Sequence, residues 1–233
     1  MKKLLVASMV LAIAGAASAN LLTNGDFDAS FTDGYGASFN ATTDGSWAYM
    51  AQTTLEVPNW QADNWGYVKN WANSNSDPWG HDFGVTVSPQ AGGAAGSWGA
   101  AGHMLNMWQN TGAIGAEGDT ATLTFWVNSL AADYGANAWM NVSLQFIGDN
   151  PATWNYNATA TPLGLVQDTW TEVTLEVPAL SAGQAGKQIQ VHVQAAGVWI
   201  DDMDLTVIPE PATLGLVAAF GGAIFMIRKK LAI

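Results

Sequence analysis

The stretch Thr120-Ala121-Thr122-Leu123-Thr124-Phe125-Trp126-Val127-Asn128-Ser129 puts Leu123, Phe125 and Val127 on one face and Thr122, Thr124 and Trp126 on the other. Alternation at period two marks a half-buried β-strand, because successive side chains leave opposite faces of the pleat. Three more runs repeat it. Met140, Val142, Leu144 and Phe146 alternate with Asn141, Ser143 and Gln145. Val173, Leu175 and Val177 alternate with Glu172, Thr174 and Glu176, and Ile189, Val191 and Val193 alternate with Gln190, His192 and Gln194. Gly, Asn, Asp and Pro separate the runs, and no amphipathic helix pattern intervenes. Several such strands predict an all-β chain folded as an antiparallel β-sandwich. Residues 34–99 are less periodic and rich in Gly, Asn, Ser and Trp. They read as long loops with a few strands, among them Ser46–Gln52 and His81–Val87.

The two ends have a different character. Residues 1–19 read as a secretory signal peptide, with basic Lys2 and Lys3, an apolar Leu4–Ala14 and an Ala17-Ser18-Ala19 cleavage site. Cleavage is expected between Ala19 and Asn20. Residues 208–233 hold Pro209-Glu210-Pro211, an apolar run from Leu214 to Ile227, and Arg228-Lys229-Lys230. The run suits a single short transmembrane helix, with the basic end held on the cytoplasmic side. The prolines keep the stretch before it extended and accessible. Residues 20–207 are left as the sandwich.

Charge is segregated. Five of the seven basic residues lie in the end segments, and only Lys69 and Lys187 lie between. All 19 acidic residues fall between Asn20 and Glu210, so that stretch carries two positive charges against 19 negative ones. Nucleic acid is excluded as a partner, since little could neutralise its phosphates. The chain has no cysteine, which removes disulfides, thiolate nucleophiles and cysteine-ligated zinc.

The tail, from Pro209-Glu210-Pro211 through the apolar run to the basic end, resembles the PEP-CTERM sorting signal. The resemblance implies an exosortase, a membrane-embedded transpeptidase-like enzyme of Gram-negative bacteria, as processing partner. It implies transient residence in the inner membrane and then the cell surface or extracellular matrix. A plain C-terminal anchor would give the same orientation without cleavage.

The middle carries a second resemblance. Asn20-Leu21-Leu22-Thr23-Asn24-Gly25-Asp26-Phe27-Asp28, Thr122–Val127, Trp170–Leu175 and Trp199-Ile200-Asp201-Asp202-Met203-Asp204-Leu205 are similar, in order, to segments of galactose-binding-like jelly rolls. That group includes carbohydrate-binding module families 4 and 9. The resemblance implies a jelly-roll topology, sugar binding, and a structural calcium tying the first strand to the last. Its matching positions are Asp28 and the Asp201-Asp202 pair, with Asp26 weaker. Strict alternation through Trp199, Asp201, Met203, Leu205 and Val207 puts all five on the core face. Asp201 is then a partly buried carboxylate, for which a cation is the natural partner. The competing reading is that these aspartates end strands and face water.

Trp is 12 of 233 residues, and seven of the 12 lie between Trp47 and Trp108. Sugar sites pair a flat aromatic with amide, carboxylate or imidazole groups. Trp60, Trp65, Trp71 and Trp79 sit among Asn, Asp and Gln and are candidate platforms. A second candidate surface is the outward side of the strands, where Trp126, Gln145, Asn141, His192 and Gln190 are expected side by side. Against both stands the habit of Trp to pack in cores and plug sandwich ends. The three histidines lack metal-ligand spacing, and no G-x-S-x-G elbow is present. The chain is therefore expected not to be an enzyme. Two functions remain open: polysaccharide binding at the cell surface, and a structural matrix protein without specific sugar binding.

Overall fold

The computed structural model describes residues 20–40, 42, 46–50, 57–62, 66–70, 92–97, 104–129, 139–147, 154–160 and 169–210. The strands are β1 (Phe31–Thr32), β2 (Ser38–Phe39), β3 (Trp47–Met50), β4 (Gln61–Ala62) and β5 (Gly66–Asn70). They continue with β6 (Gly93–Gly96), β7 (Leu105–Ile114), β8 (Thr120–Ser129), β9 (Trp139–Ile147) and β10 (Trp154–Ala160). β11 (Thr171–Val177), β12 (Gln188–Ala196) and β13 (Val198–Ile208) complete the set. No helix occurs among the described residues.

The strands form an antiparallel β-sandwich. One sheet has the order β10-β9-β12-β7-β4, the other β11-β8-β13-β6-β5-β3, and β1-β2 is a small separate hairpin. Leu123, Phe125 and Val127 of β8 meet Val142, Leu144 and Phe146 of β9 and Ile189, Val191 and Val193 of β12 in one buried core. This is the apolar set that the alternation assigns to the inside. Each such side chain contributes about 1.5–3 kcal/mol on burial. The expected strand over residues 46–52 is present as β3. The one expected over residues 81–87 lies outside the described residues, as do the signal peptide and the apolar run of the tail.

One expected face is corrected. On β13, Asp201 pairs with Trp126, and the next pair is Asp204 with Thr124. Asp202 and Met203 together oppose the single residue Phe125, which is a β-bulge. Asp202 takes the left-handed backbone conformation, φ 54°. The extra residue shifts the alternation by one. Trp199 and Asp201 thus lie on the outer face, opposite Asn128 and Trp126, while Met203 and Leu205 point into the core. The five residues Trp199, Asp201, Met203, Leu205 and Val207 do not share a face.

The opening segment seals onto this bulge. Leu21 N–H donates to Leu205 O at 2.8 Å, and Met203 N–H donates to Gly25 O at 2.9 Å. Asn20 works from both ends of its amide: Nδ2 donates to Met203 O at 3.1 Å, and Oδ1 accepts from Leu205 N–H at 3.1 Å. A Cβ at Gly25 would stand 2.1 Å from Met203 O, so only glycine lets the two backbones meet.

Candidate functional site

The outer face of β4, β7, β12 and β9 is a carpet of uncharged polar side chains. Rows run across the strands in register. Asn141, Gln194 and Asn106 form one row, and Ser143, His192, Trp108 and Gln61 form the next. Gln145, Gln190 and Asn110 form a third.

Hydrogen bonds link the carpet. Gln145 Nε2 donates to His192 Nδ1 at 2.8 Å. An amide nitrogen can only donate, so the imidazole proton sits on Nε2, which donates to Asn106 Oδ1 at 2.7 Å. Gln190 Nε2 donates to Asn110 Oδ1 at 2.7 Å, and Trp108 Nε1 donates to Gln61 Oε1 at 2.6 Å. The Trp108 and His192 rings meet edge to face with centroids 6.1 Å apart. Gln145 Oε1 and Asn141 Oδ1 are buried with no hydrogen-bond partner, which leaves two acceptors short of a donor. Trp139, 39 % exposed, stands at the end of the Asn141 and Gln145 face.

The outer face of the other sheet is acidic. Trp126 is half-buried there, flanked in register by Glu172 of β11 and Asp201 of β13. With Asp26, Asp202 and Asp204 it lines an open cleft of about 380 Å³. Loss of hydration, and then repulsion from Asp26, Asp204, Asp28 and Glu172, push the Asp202 carboxyl above its ordinary pKa. Asp28 is also pushed up, mainly by burial and further by Asp26, against the lowering effect of the Gly93 N–H. That N–H donates to Asp28 Oδ1 at 2.7 Å. Asp201 is 1 % exposed, and its Oδ1 accepts from Asp202 N–H at 2.7 Å. Among the described residues no three acidic or histidine side chains converge as a metal cage. Asp202 and Asp28 repel each other, while the Asp201 carboxylate is engaged by the Asp202 N–H.

The structure redistributes the candidate residues. Trp60 is 1 % exposed, packs its ring 5.5 Å from that of Phe27, and donates Nε1–H to Asn24 O at 2.9 Å. A sugar platform needs a free ring face, so Trp60 is corrected to a core side chain that locks the Asn24-Gly25 turn. Trp65, Trp71, Trp79, Pro211 and Ala19 lie outside the described residues. Trp126 and His192, expected together, lie on opposite outer faces of the sandwich, while Asn141, Gln145, Gln190 and His192 do share one. Pro209 is half-buried and Glu210 exposed. Glu210 N–H donates to Asp119 Oδ1 at 3.1 Å.

Sequence reading misses Asn106, Trp108, Asn110, Gln61 and Trp139. The signal for three of them is present, since Leu105 and Met107 alternate with Asn106, Trp108 and Asn110. Gln61 belongs to a two-residue strand, too short to show a period.

No protein-family model matches the sequence, and no curated protein matches it. Solved structures do. An apo cyclase from Fischerella sp. is similar at TM-score 0.57 and 13 % identity, over 84 % of this chain and 98 % of that one. The CBM22-1 xylan-binding domain of a Paenibacillus barcinonensis protein, Xyn10C, is similar at TM-score 0.42 and 12 % identity, over 72 % of this chain and 99 % of that one. A CBM4 structure is similar at TM-score 0.36 and 13 % identity, over 79 % and 98 %. At 13 % identity the likeness to the cyclase establishes the fold and nothing of the chemistry. The expectation that the chain is not an enzyme is nevertheless corrected. A cyclase is built on this sandwich, so the absence of familiar catalytic motifs does not exclude catalysis here.

Proposed function

We propose that this protein binds carbohydrate on the outer face of β4, β7, β12 and β9. The observation that carries the reading is the amide and imidazole network around Trp108. Sugars offer many hydroxyls, each donor and acceptor at once, and apolar C–H faces. The carpet offers matching amide and imidazole groups in rows, of which Asn106, Asn141, His192 and Gln194 are only half-buried, and beside them the half-buried indole of Trp108. A purely structural sandwich gains nothing from a linked set of buried amides on its outside, because each costs desolvation unless fully paired. Retention on polysaccharide affinity gels tests the reading. Binding to at least one glycan, weakened by Trp108→Ala, is expected. Indifference to every glycan would overturn the reading and leave a structural matrix role or catalysis on another ligand.

The polysaccharide setting is part of the same proposal. The signal-like residues 1–19 support export, and the tail after Ile208 supports sorting by an exosortase to the cell surface or matrix of a Gram-negative bacterium, by way of the inner membrane. Calcium is proposed between Asp202, which lines the acidic cleft, and Asp28 of the opening loop, which is close enough to repel it. Asp28 and Asp202 would supply two hard oxygens from the opening loop and the last strand, and backbone carbonyls and water the remainder. The mutual repulsion of these unneutralised carboxylates is what favours a cation there.

A further inference from the structure

The two sheets differ in charge. β4, β7, β9, β10 and β12 contain no Asp, Glu, Lys or Arg, and His192 is the one imidazole on them. The other sheet carries Glu172 and Glu176 on β11 and Asp201, Asp202 and Asp204 on β13, against one cation, Lys69, on β5. The carpet strands thus hold no cation to receive an anionic ligand, and Lys187, just before β12, stands at the end of that strand away from Trp139. The carpet also belongs to a stretch with 17 more negative than positive charges.

We infer that the carpet selects an uncharged glycan chain, laid diagonally between Trp139 and Trp108, and rejects uronate-bearing or sulfated polymers. The inference rests on the carbohydrate reading. Trp139 pairs with Ala196 at one end of β12, and Trp108 pairs with His192 four residues along and one strand further on. At ~3.4 Å per residue and ~4.8 Å per strand the two indoles are roughly 15–20 Å apart, the length of a few sugar rings. Asn141, Gln194, Asn106 and His192 lie between them. A neutral sugar exchanges water for these amides at little cost. A carboxylate would lose hydration with no cation to replace it, and the charge of the domain would repel it as well.

The test uses the full chain in a detergent without a sugar headgroup. The probes are matched glucans: hydroxyethylcellulose against carboxymethylcellulose, and dextran against carboxymethyl dextran, with neutral xylan and mannan added. Binding to a neutral polymer at least tenfold tighter than to its carboxymethylated partner is expected. The gap should narrow at high salt without closing, because salt screens repulsion and leaves desolvation. Equal or tighter binding to the charged partner overturns the selectivity and leaves the carbohydrate reading standing. Binding to no polymer overturns that reading itself. Trp139→Ala should weaken binding to the polymer about tenfold and leave a disaccharide unaffected. An unchanged polymer affinity would overturn the diagonal span.

Discussion

Trp108 of β7 and His192 of β12 are opposite each other in register and meet edge to face, with centroids 6.1 Å apart. The same imidazole is held by Gln145 on one side and Asn106 on the other. One aromatic is thereby fixed at the centre of an amide network that faces away from the core.

Trp108→Ala should separate binding from folding. Trp108 is half-buried on the outer face, so its loss should cost about 1 kcal/mol of stability, as for most point changes. Glycan affinity should fall at least tenfold, about 1.4 kcal/mol. Affinity electrophoresis and thermal unfolding on the same sample check this. A large fall in melting temperature with unchanged affinity would place Trp108 in the scaffold instead.

Gly25→Ala should destabilise the sandwich by roughly 2 kcal/mol or more, because the new methyl would overlap Met203 O at the bulge. Two backbones would have to part, and the Met203 N–H to Gly25 O bond with them. Thermal unfolding measures the cost. A melting temperature within a degree of wild type would mean that the opening segment does not seal the last strand.

Asp202→Asn should raise the melting temperature at neutral pH in chelator. Its carboxyl titrates above the ordinary 3.8 in the folded protein, so the folded state binds more protons than the unfolded one between 3.8 and the raised value. Stability therefore falls as pH rises through that window, and the ionised group is unfavourable above it. The gain from Asn should vanish once the pH is below about 3.8. Asn keeps the left-handed backbone that Asp202 occupies, so the substitution tests charge and not strain. In calcium the order should reverse. At a hundred times its Kd the ion would add about 2.7 kcal/mol, or roughly 5–10 °C for a domain of this size. A melting temperature blind to both calcium and chelator counts against the ion.

The tail gives a prediction of mass. If Pro209-Glu210-Pro211 is a processing motif, the surface form should lack the apolar run, and mass spectrometry of surface extracts should find the shorter species. Replacing both prolines by alanine should leave the chain uncut. Recovery of the uncut chain from wild-type cells would favour a simple anchor.

Much of the fold is legible from alternation alone. The strand read from Thr120–Ser129 has those bounds in the structure, and the inward residues of β9, β11 and β12 are the apolar ones. The site is less legible. His192, Asn141, Gln145 and Gln190 are recognisable as outward polar residues. Their meeting with Trp108 and Asn106 depends on β12 lying between β9 and β7, and nothing local encodes that order.

The sequence by itself determines which residues of a strand point inward, because the pleat turns a period of two into two faces without help from any other strand. Tertiary structure alone decides which outward faces become one surface. β8 joins β13 and β12 joins β9 and β7, so Trp126 ends beside carboxylates and His192 beside amides, on opposite sides of the molecule. The bulge at Asp202 and Met203 is likewise a tertiary outcome. It appears where the last strand must accept both β8 and the opening segment, and one inserted residue reverses the faces that simple alternation assigns to Trp199 and Asp201.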